Sequence, residues 1–225
     1  DTLESGGQAG DDAENANEVL NPVRSISTEI GAKADFGRFN SNLALFHTTR
    51  PMAYTGDDNY YRVQGLQRNN GVEFNISGNV WKNLRLMAGA TYLDAKLRKS
   101  YSEAAKNKRV VGVPHLQANI MLEDELTNIK GLFFNANLHY TGKRAANSAN
   151  TTYADSYYTL DLGMRYEMPR DDGHALVFRI NATNVTGENY WASIFPGKIY
   201  GLATASNSAF LGDPMGVHMS VSVKY

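Results

Sequence analysis

The sequence has no cysteine, which excludes disulfides and thiolate metal sites. It has no run approaching the roughly 18 apolar residues of a membrane-spanning helix, and no segment sustains a helical period. It has no surplus of positive charge. Its 22 Lys and Arg face 23 Asp and Glu, which argues against nucleic acid, whose binders carry a basic surface. The five His lie on separate segments without metal-ligand spacing. No secretory leader pattern is visible at the start. These absences suggest a water-soluble domain, but they do not establish one. A membrane barrel dilutes its lipid face with a polar lumen and long wet loops, so low mean hydropathy does not exclude it.

What is present is alternation. In the closing stretch "PMGVHMSVSVKY", Val217, Met219, Val221, Val223 and Tyr225 take one side and His218, Ser220, Ser222 and Lys224 the other. Strict alternation predicts a strand with one apolar and one wet face. The pattern recurs about nine times, at 25–36, 39–50, 69–80, 84–97, 114–126, 132–144, 157–168, 175–185 and 214–225. Strands of soluble domains are usually about 5 to 6 residues, whereas a tilted strand needs about 9 to 11 to cross a bilayer. Length therefore favours lipid over a protein core.

The connections alternate as well. Short ones fall at Gly37-Arg38, Trp81 to Asn83, Thr127 to Lys130 and Pro169 to His174. Long ones are expected at 51–62, 98–109, 145–156 and 188–212. Short turns at one end and long loops at the other are the pattern of outer-membrane barrels. The wet face carries Glu29, Lys33, Glu73, Arg85, Glu123, Asp161, Arg165 and Arg179, charges that belong in a watered lumen. Tyr92, Tyr140 and Tyr158 fall at the long-loop ends of the apolar rows, and Phe36, Phe39, Tyr166 and Tyr225 at the short-turn ends. Two such girdles suit rings that are half in lipid. The fold class expected is all-β, a transmembrane antiparallel β-barrel. Nine strands are odd, whereas bacterial single-chain barrels have even numbers, so the segment is expected to form part of a larger barrel.

Several stretches resemble the C-terminal half of TonB-dependent outer-membrane receptors, especially those for ferric siderophores. "NPVRSISTEIGAK" resembles the family's strand with a Glu-x-Gly-x-Lys core, and "NNGVEFNISGNVWKNLRLMAGATYLDA" its Gly-Val-Glu hairpin. "VVGVPHLQANIML", "YYTLDLGMRYEM" and "FRINATNVTGENYW" resemble three further strands. Tyr225 stands where the family usually ends in Phe, and Met215 stands at a position often held by Arg. The resemblance implies a barrel of the 22-stranded type. Residues 1–24, small and acidic, would then be an extracellular loop segment. Residues 25–225 would be the C-terminal part of the barrel, with the plug domain and first strands absent.

The resemblance also implies capture of a ferric siderophore outside a Gram-negative cell and import driven through TonB. The siderophore is the transported ligand; no covalent cofactor is implied. The partners implied are outer-membrane lipid and lipopolysaccharide, the plug and remaining strands, and TonB. A ferric chelate arrives with its iron already liganded, so the protein meets its organic shell with aromatic faces and a few polar groups. Candidates are Tyr54, Tyr60, Tyr61, Arg144, Tyr153, Trp191, Phe195 and Tyr200. Tyr190 and Trp191 also suit a girdle. Alternatives are a passive porin or structural barrel, or a TonB-dependent receptor for haem or cobalamin. An enzyme would need a Ser/His/acid set at one rim, and the sequence offers no convincing one.

Overall fold

The computed structural model describes residues 1–170, 173–195 and 208–224. Among these the chain is built from antiparallel strands, with one short 3-10 turn at Glu103–Ala105. The strands are β1 (Thr2–Glu4), β2 (Val23–Asp35), β3 (Phe39–Thr55), β4 (Tyr61–Asn79), β5 (Leu84–Lys99), β6 (Leu116–Glu125) and β7 (Leu132–Thr141). They continue as β8 (Arg144–Ala145), β9 (Tyr153–Ala154), β10 (Tyr157–Pro169), β11 (Ala175–Thr183), β12 (Trp191–Phe195), β13 (Ser208–Leu211) and β14 (Gly216–Lys224). The principal sheet has ten strands in the order β1-β2-β3-β4-β5-β6-β7-β10-β11-β14. Two small hairpins, β8-β9 and β12-β13, rise from the long connections.

Register explains the two faces. Gly78, Leu86, Leu122, Ala136, Leu162, Ala182 and Val217 pair in turn across the sheet. Neighbouring rows of the same face hold Phe74, Ile120, Phe134, Met164, Phe178 and Met219, all solvent-exposed in this chain. The opposite face holds Asn42, Asn75, Gly89, Asn119, His139 and Thr159 in one row. A one-residue slip of any strand would exchange the faces, so each apolar pair helps fix register. Such pairs contribute roughly 0.2–1 kcal/mol each.

Charges on the polar face neutralise one another near the short turns. Arg165 reaches Glu123 at 3.3 Å and also pairs with Glu167. It covers the Phe133 ring at 3.9 Å. Lys224 approaches Glu167 at 3.7 Å.

The short connections are tight turns. At the first, Gly37 takes φ +76°, a left-handed conformation that suits glycine, and its N–H donates to Asp35 Oδ1 at 2.7 Å. Phe36 and Phe39 stack across that turn at 4.7 Å.

One expectation needs correction. Residues 51–62 are not an irregular loop: β3 runs to Thr55, β4 starts at Tyr61, and the connection is only 56–60. The ladder continues because backbone pairing needs no apolar alternation once the strands leave the apolar band. The acidic start of the chain, expected as a loop segment, is folded onto this hairpin. Its contacts are mainly hydrogen bonds, which hydropathy does not register. Tyr225 lies outside the described residues.

Candidate ligand-binding loops

At the long-loop end the connections interlock. Asn15 clamps the backbone of Tyr61: its amide donates to the Tyr61 carbonyl, and its Oδ1 accepts the Tyr61 N–H, both at 2.8 Å. Tyr61 packs with Ala9, Ala13 and Ala53, is 5 % exposed, and donates its hydroxyl to the Gly6 carbonyl at 3.1 Å. Asn59, at φ +60°, donates from its side chain to the Asp12 carbonyl at 2.7 Å. Below this knot, Glu4 accepts from Arg50 and Ser25. The Arg50 hydrogen bond, then that of Ser25, holds the Glu4 carboxyl below its ordinary value.

The hairpin tip then meets the connection after β5. Tyr54 packs edge-on to Tyr101 at 6.2 Å. Burial, and next the Asp57 carboxylate, raises the Tyr54 hydroxyl above its ordinary value. Asn150, at φ +58°, clamps Arg109 as Asn15 clamps Tyr61. It accepts the Arg109 N–H at 2.7 Å and donates to the Arg109 carbonyl at 3.1 Å.

The last link is Arg144. It is 3 % exposed. Its guanidinium donates to the carbonyls of Ala192, at 3.0 Å, and Trp191, and lies 5.5 Å from the centre of the Tyr157 ring. Tyr157 stacks on Tyr190 at 4.2 Å, and burial, then Tyr157 and Asp213, raises the Tyr190 hydroxyl. Tyr190 is thus packed on the polar face rather than in a girdle. Gln117, Thr141, Arg144, Tyr157, Ser193 and Phe195 line a cavity of about 330 Å³ here. Gln117, Thr141 and Tyr157 are registered on the polar face, so the cavity faces the inside of the sheet at its long-loop end.

The candidate residues therefore separate. Tyr60, Trp191 and Phe195 are each 45 % exposed and Tyr153 is 37 % exposed; these four present open rings. Lys143 lies 4.9 Å from the centre of the Tyr153 ring, and Phe195 packs edge-on to Phe210 at 5.8 Å. Tyr54 is half-buried and structural. Tyr61 is buried, with its hydroxyl bonded, which removes it from any contact surface. Arg144 serves first as a link between loops, although its charge still borders the cavity. Tyr200 lies outside the described residues.

A family profile described as "TonB dependent receptor-like, beta-barrel" matches residues 2–185. The chain belongs to that family. It is 36 % identical over 212 residues to the ferrichrome receptor FcuA of Yersinia enterocolitica, covering 94 % of this chain and 27 % of that protein. It is 25 % identical over 220 residues to the metal-pseudopaline receptor CntO of Pseudomonas aeruginosa, covering 93 % of this chain and 29 % of that one. Among solved structures it resembles BauA, the ferric preacinetobactin receptor of Acinetobacter baumannii. The TM-score is 0.80 and the identity 30 %, covering 98 % of this chain and 32 % of that one. The chain thus spans about a third or less of these relatives.

In this TonB-dependent receptor segment, three asparagines do work that sequence reasoning missed. Asn15 and Asn150 are clamps across 46 and 41 residues. Asn184, buried at φ +47°, joins three elements. Its N–H donates to Asp161 Oδ1 at 2.8 Å, and its amide donates to the carbonyls of Glu188 and Asp213. The available signal was Asn in the "TNVTGEN" turn, where its tolerance of left-handed backbone is common. For Asn15 and Asn150 no local signal exists, because each partner lies far away in sequence.

Proposed function

We propose that the segment is part of an outer-membrane receptor that binds a ferric siderophore at its long-loop end and imports it with energy delivered through TonB. The observation that carries this reading is the interlocked loop wall. It sets the open ring of Phe195, the Tyr157 ring and the Arg144 charge around a cavity on the polar side of an apolar-backed sheet. Aromatic faces and a buried cation suit the organic, oxygen-rich shell of a ferric chelate. The likeness to receptors for ferrichrome and ferric preacinetobactin supports the same class of cargo.

On this reading the apolar face meets outer-membrane lipid, residues 1–24 are an extracellular loop segment, and residues 25–225 are barrel. Its partners are a plug, the remaining strands and TonB, and it carries out no covalent chemistry. The test is uptake of radiolabelled iron by the intact receptor in a strain lacking its own siderophore receptors. Hydroxamate, catecholate and mixed ferric chelates are offered in turn. Uptake of one chelate class that ceases without TonB is expected. Equal, TonB-independent entry of all of them would identify a passive pore instead.

A further inference from the structure

Arg144 is a buried cation whose surroundings supply no anion. Its backbone is pinned on both sides, bridged to Pro114 and paired with Ala154. Two of its three guanidinium nitrogens are engaged, donating to the carbonyls of Ala192 and Trp191. The third, Nε, is buried and has no hydrogen-bond partner among the described residues. The side chain lines the cavity at the long-loop end. Among the described residues that line that cavity, none is Asp or Glu. Asp155, which follows β9, stays in solvent, 4.0 Å from Lys143.

Carbonyl dipoles and the Tyr157 ring soften this charge but do not balance it. A guanidinium keeps its proton, so it cannot escape by neutralising. Burying a charge without a counter-charge is costly. Water can serve the one open N–H, but it brings no opposite charge. The rest of the lining says which anion fits. Gln117 and Ser193 offer neutral donors, whereas Val111, Val113, Ile194 and Phe195 are apolar. A strongly hydrated phosphate suits so apolar a wall poorly. A carboxylate spreads one charge over two oxygens. One can accept from Nε and the other from Gln117 or Ser193. The volume of about 330 Å³ stands near the lower end of the range for whole small ligands, roughly 300–1,000 Å³. It therefore suits one arm of a chelate rather than its iron centre.

We propose that Arg144 Nε seats a carboxylate at the periphery of the chelate, so that the receptor selects ferric chelates with a free carboxylate arm over counterparts without one. The proposal rests on the receptor reading above and narrows its substrate class.

The test uses the intact receptor and matched pairs of ferric chelates. Hydroxamate, catecholate and mixed chelates are each made with a free carboxylate arm and with that arm amidated. Equilibrium titration measures the affinities. In the class that binds, a preference for the carboxylate form on the order of tenfold is expected. R144Q removes the charge and should abolish that preference. R144K loses the two-carbonyl clamp but keeps the charge, so it should weaken both forms and retain a preference. Q117E leaves the clamp intact and adds a carboxylate to the cavity lining. It should lower affinity for the carboxylate form about tenfold and spare the amide form. Equal affinity of the wild type for both forms overturns the proposal. So does a preference that survives R144Q, which would leave Arg144 a purely structural role. Displacement of the carboxylate chelate by millimolar acetate also overturns it, by assigning the seat to free carboxylates. If no chelate of any class binds, the receptor reading itself falls.

Discussion

Arg144 holds the carbonyl of Ala192 at 3.0 Å across 48 residues of chain. With Trp191 accepting from the same guanidinium, the base of β12 hangs from one side chain, backed by Val111, Ala154 and Ile194 in a small apolar cluster. Replacing Arg144 by Met keeps the bulk but leaves two carbonyls without their donor. The expected cost is about 2–3 kcal/mol, confined to this hairpin. Hydrogen exchange should accelerate at Trp191–Phe195 while protection of β5 to β7 stays unchanged. Lysine should not restore it, since one ammonium cannot reproduce the guanidinium fork.

Gly112 makes a second prediction at the same place. It takes φ +78° and its N–H donates to the Ala145 carbonyl at 2.9 Å, and a Cβ there would collide with the Ile194 carbonyl oxygen. Gly112→Ala should therefore mimic Arg144→Met in hydrogen exchange, at a cost of roughly 1–3 kcal/mol.

Asn15 and Tyr61 predict a graded series at the hairpin tip. Tyr61→Phe removes only the bond to the Gly6 carbonyl and should cost about 1 kcal/mol. Asn15→Ala removes two bonds to one backbone unit and should cost about 2 kcal/mol. Limited proteolysis within residues 5–22 should rank the variants in that order.

The Glu4–Arg50 pair makes the start of the chain acid-sensitive. Glu4 is held below its ordinary value of 4.5, so it binds fewer protons folded than unfolded. Its contribution is complete above about pH 4.5 and is lost as pH falls through the lowered folded value. Protection of β1 against hydrogen exchange should decline in that acid range. Glu4→Gln should flatten the dependence.

If the open rings form the contact surface, Tyr60→Ala and Phe195→Ala should each weaken ferric siderophore binding by roughly fivefold, equivalent to about 1 kcal/mol. Tyr61→Phe should leave the affinity unchanged. Equilibrium titration with the chelate found in the uptake test checks both, and equal loss at Tyr61 would refute the assignment.

The barrel strands were legible because each keeps one apolar and one polar face, which imprints period two on the sequence. Ile30, Leu45 and Val72 carry that imprint, and their registered row is real. Above them the imprint fades: His47, Thr49, Asn70 and Arg68 are polar, yet they continue the ladder, so β3 and β4 outrun the expected 39–50 and 69–80. The candidate site was half legible. Aromatic residues in loops mark a surface able to grip, as Tyr60 and Phe195 show. Whether a given ring is open or packed depends on contacts more than 30 residues away. Tyr61 and Tyr190 look like Tyr60 in sequence, and only Asn15 and Tyr157 distinguish them.

The loops of this chain are fastened to one another in series, Asn15 to Tyr61, Tyr54 to Tyr101, Asn150 to Arg109, Arg144 to Ala192. On the receptor reading, the surface that such a wall presents outside the cell is composite. Antibodies raised on an intact cell should bridge two loops at once, and a synthetic peptide copied from a single loop should be a poor immunogen against it.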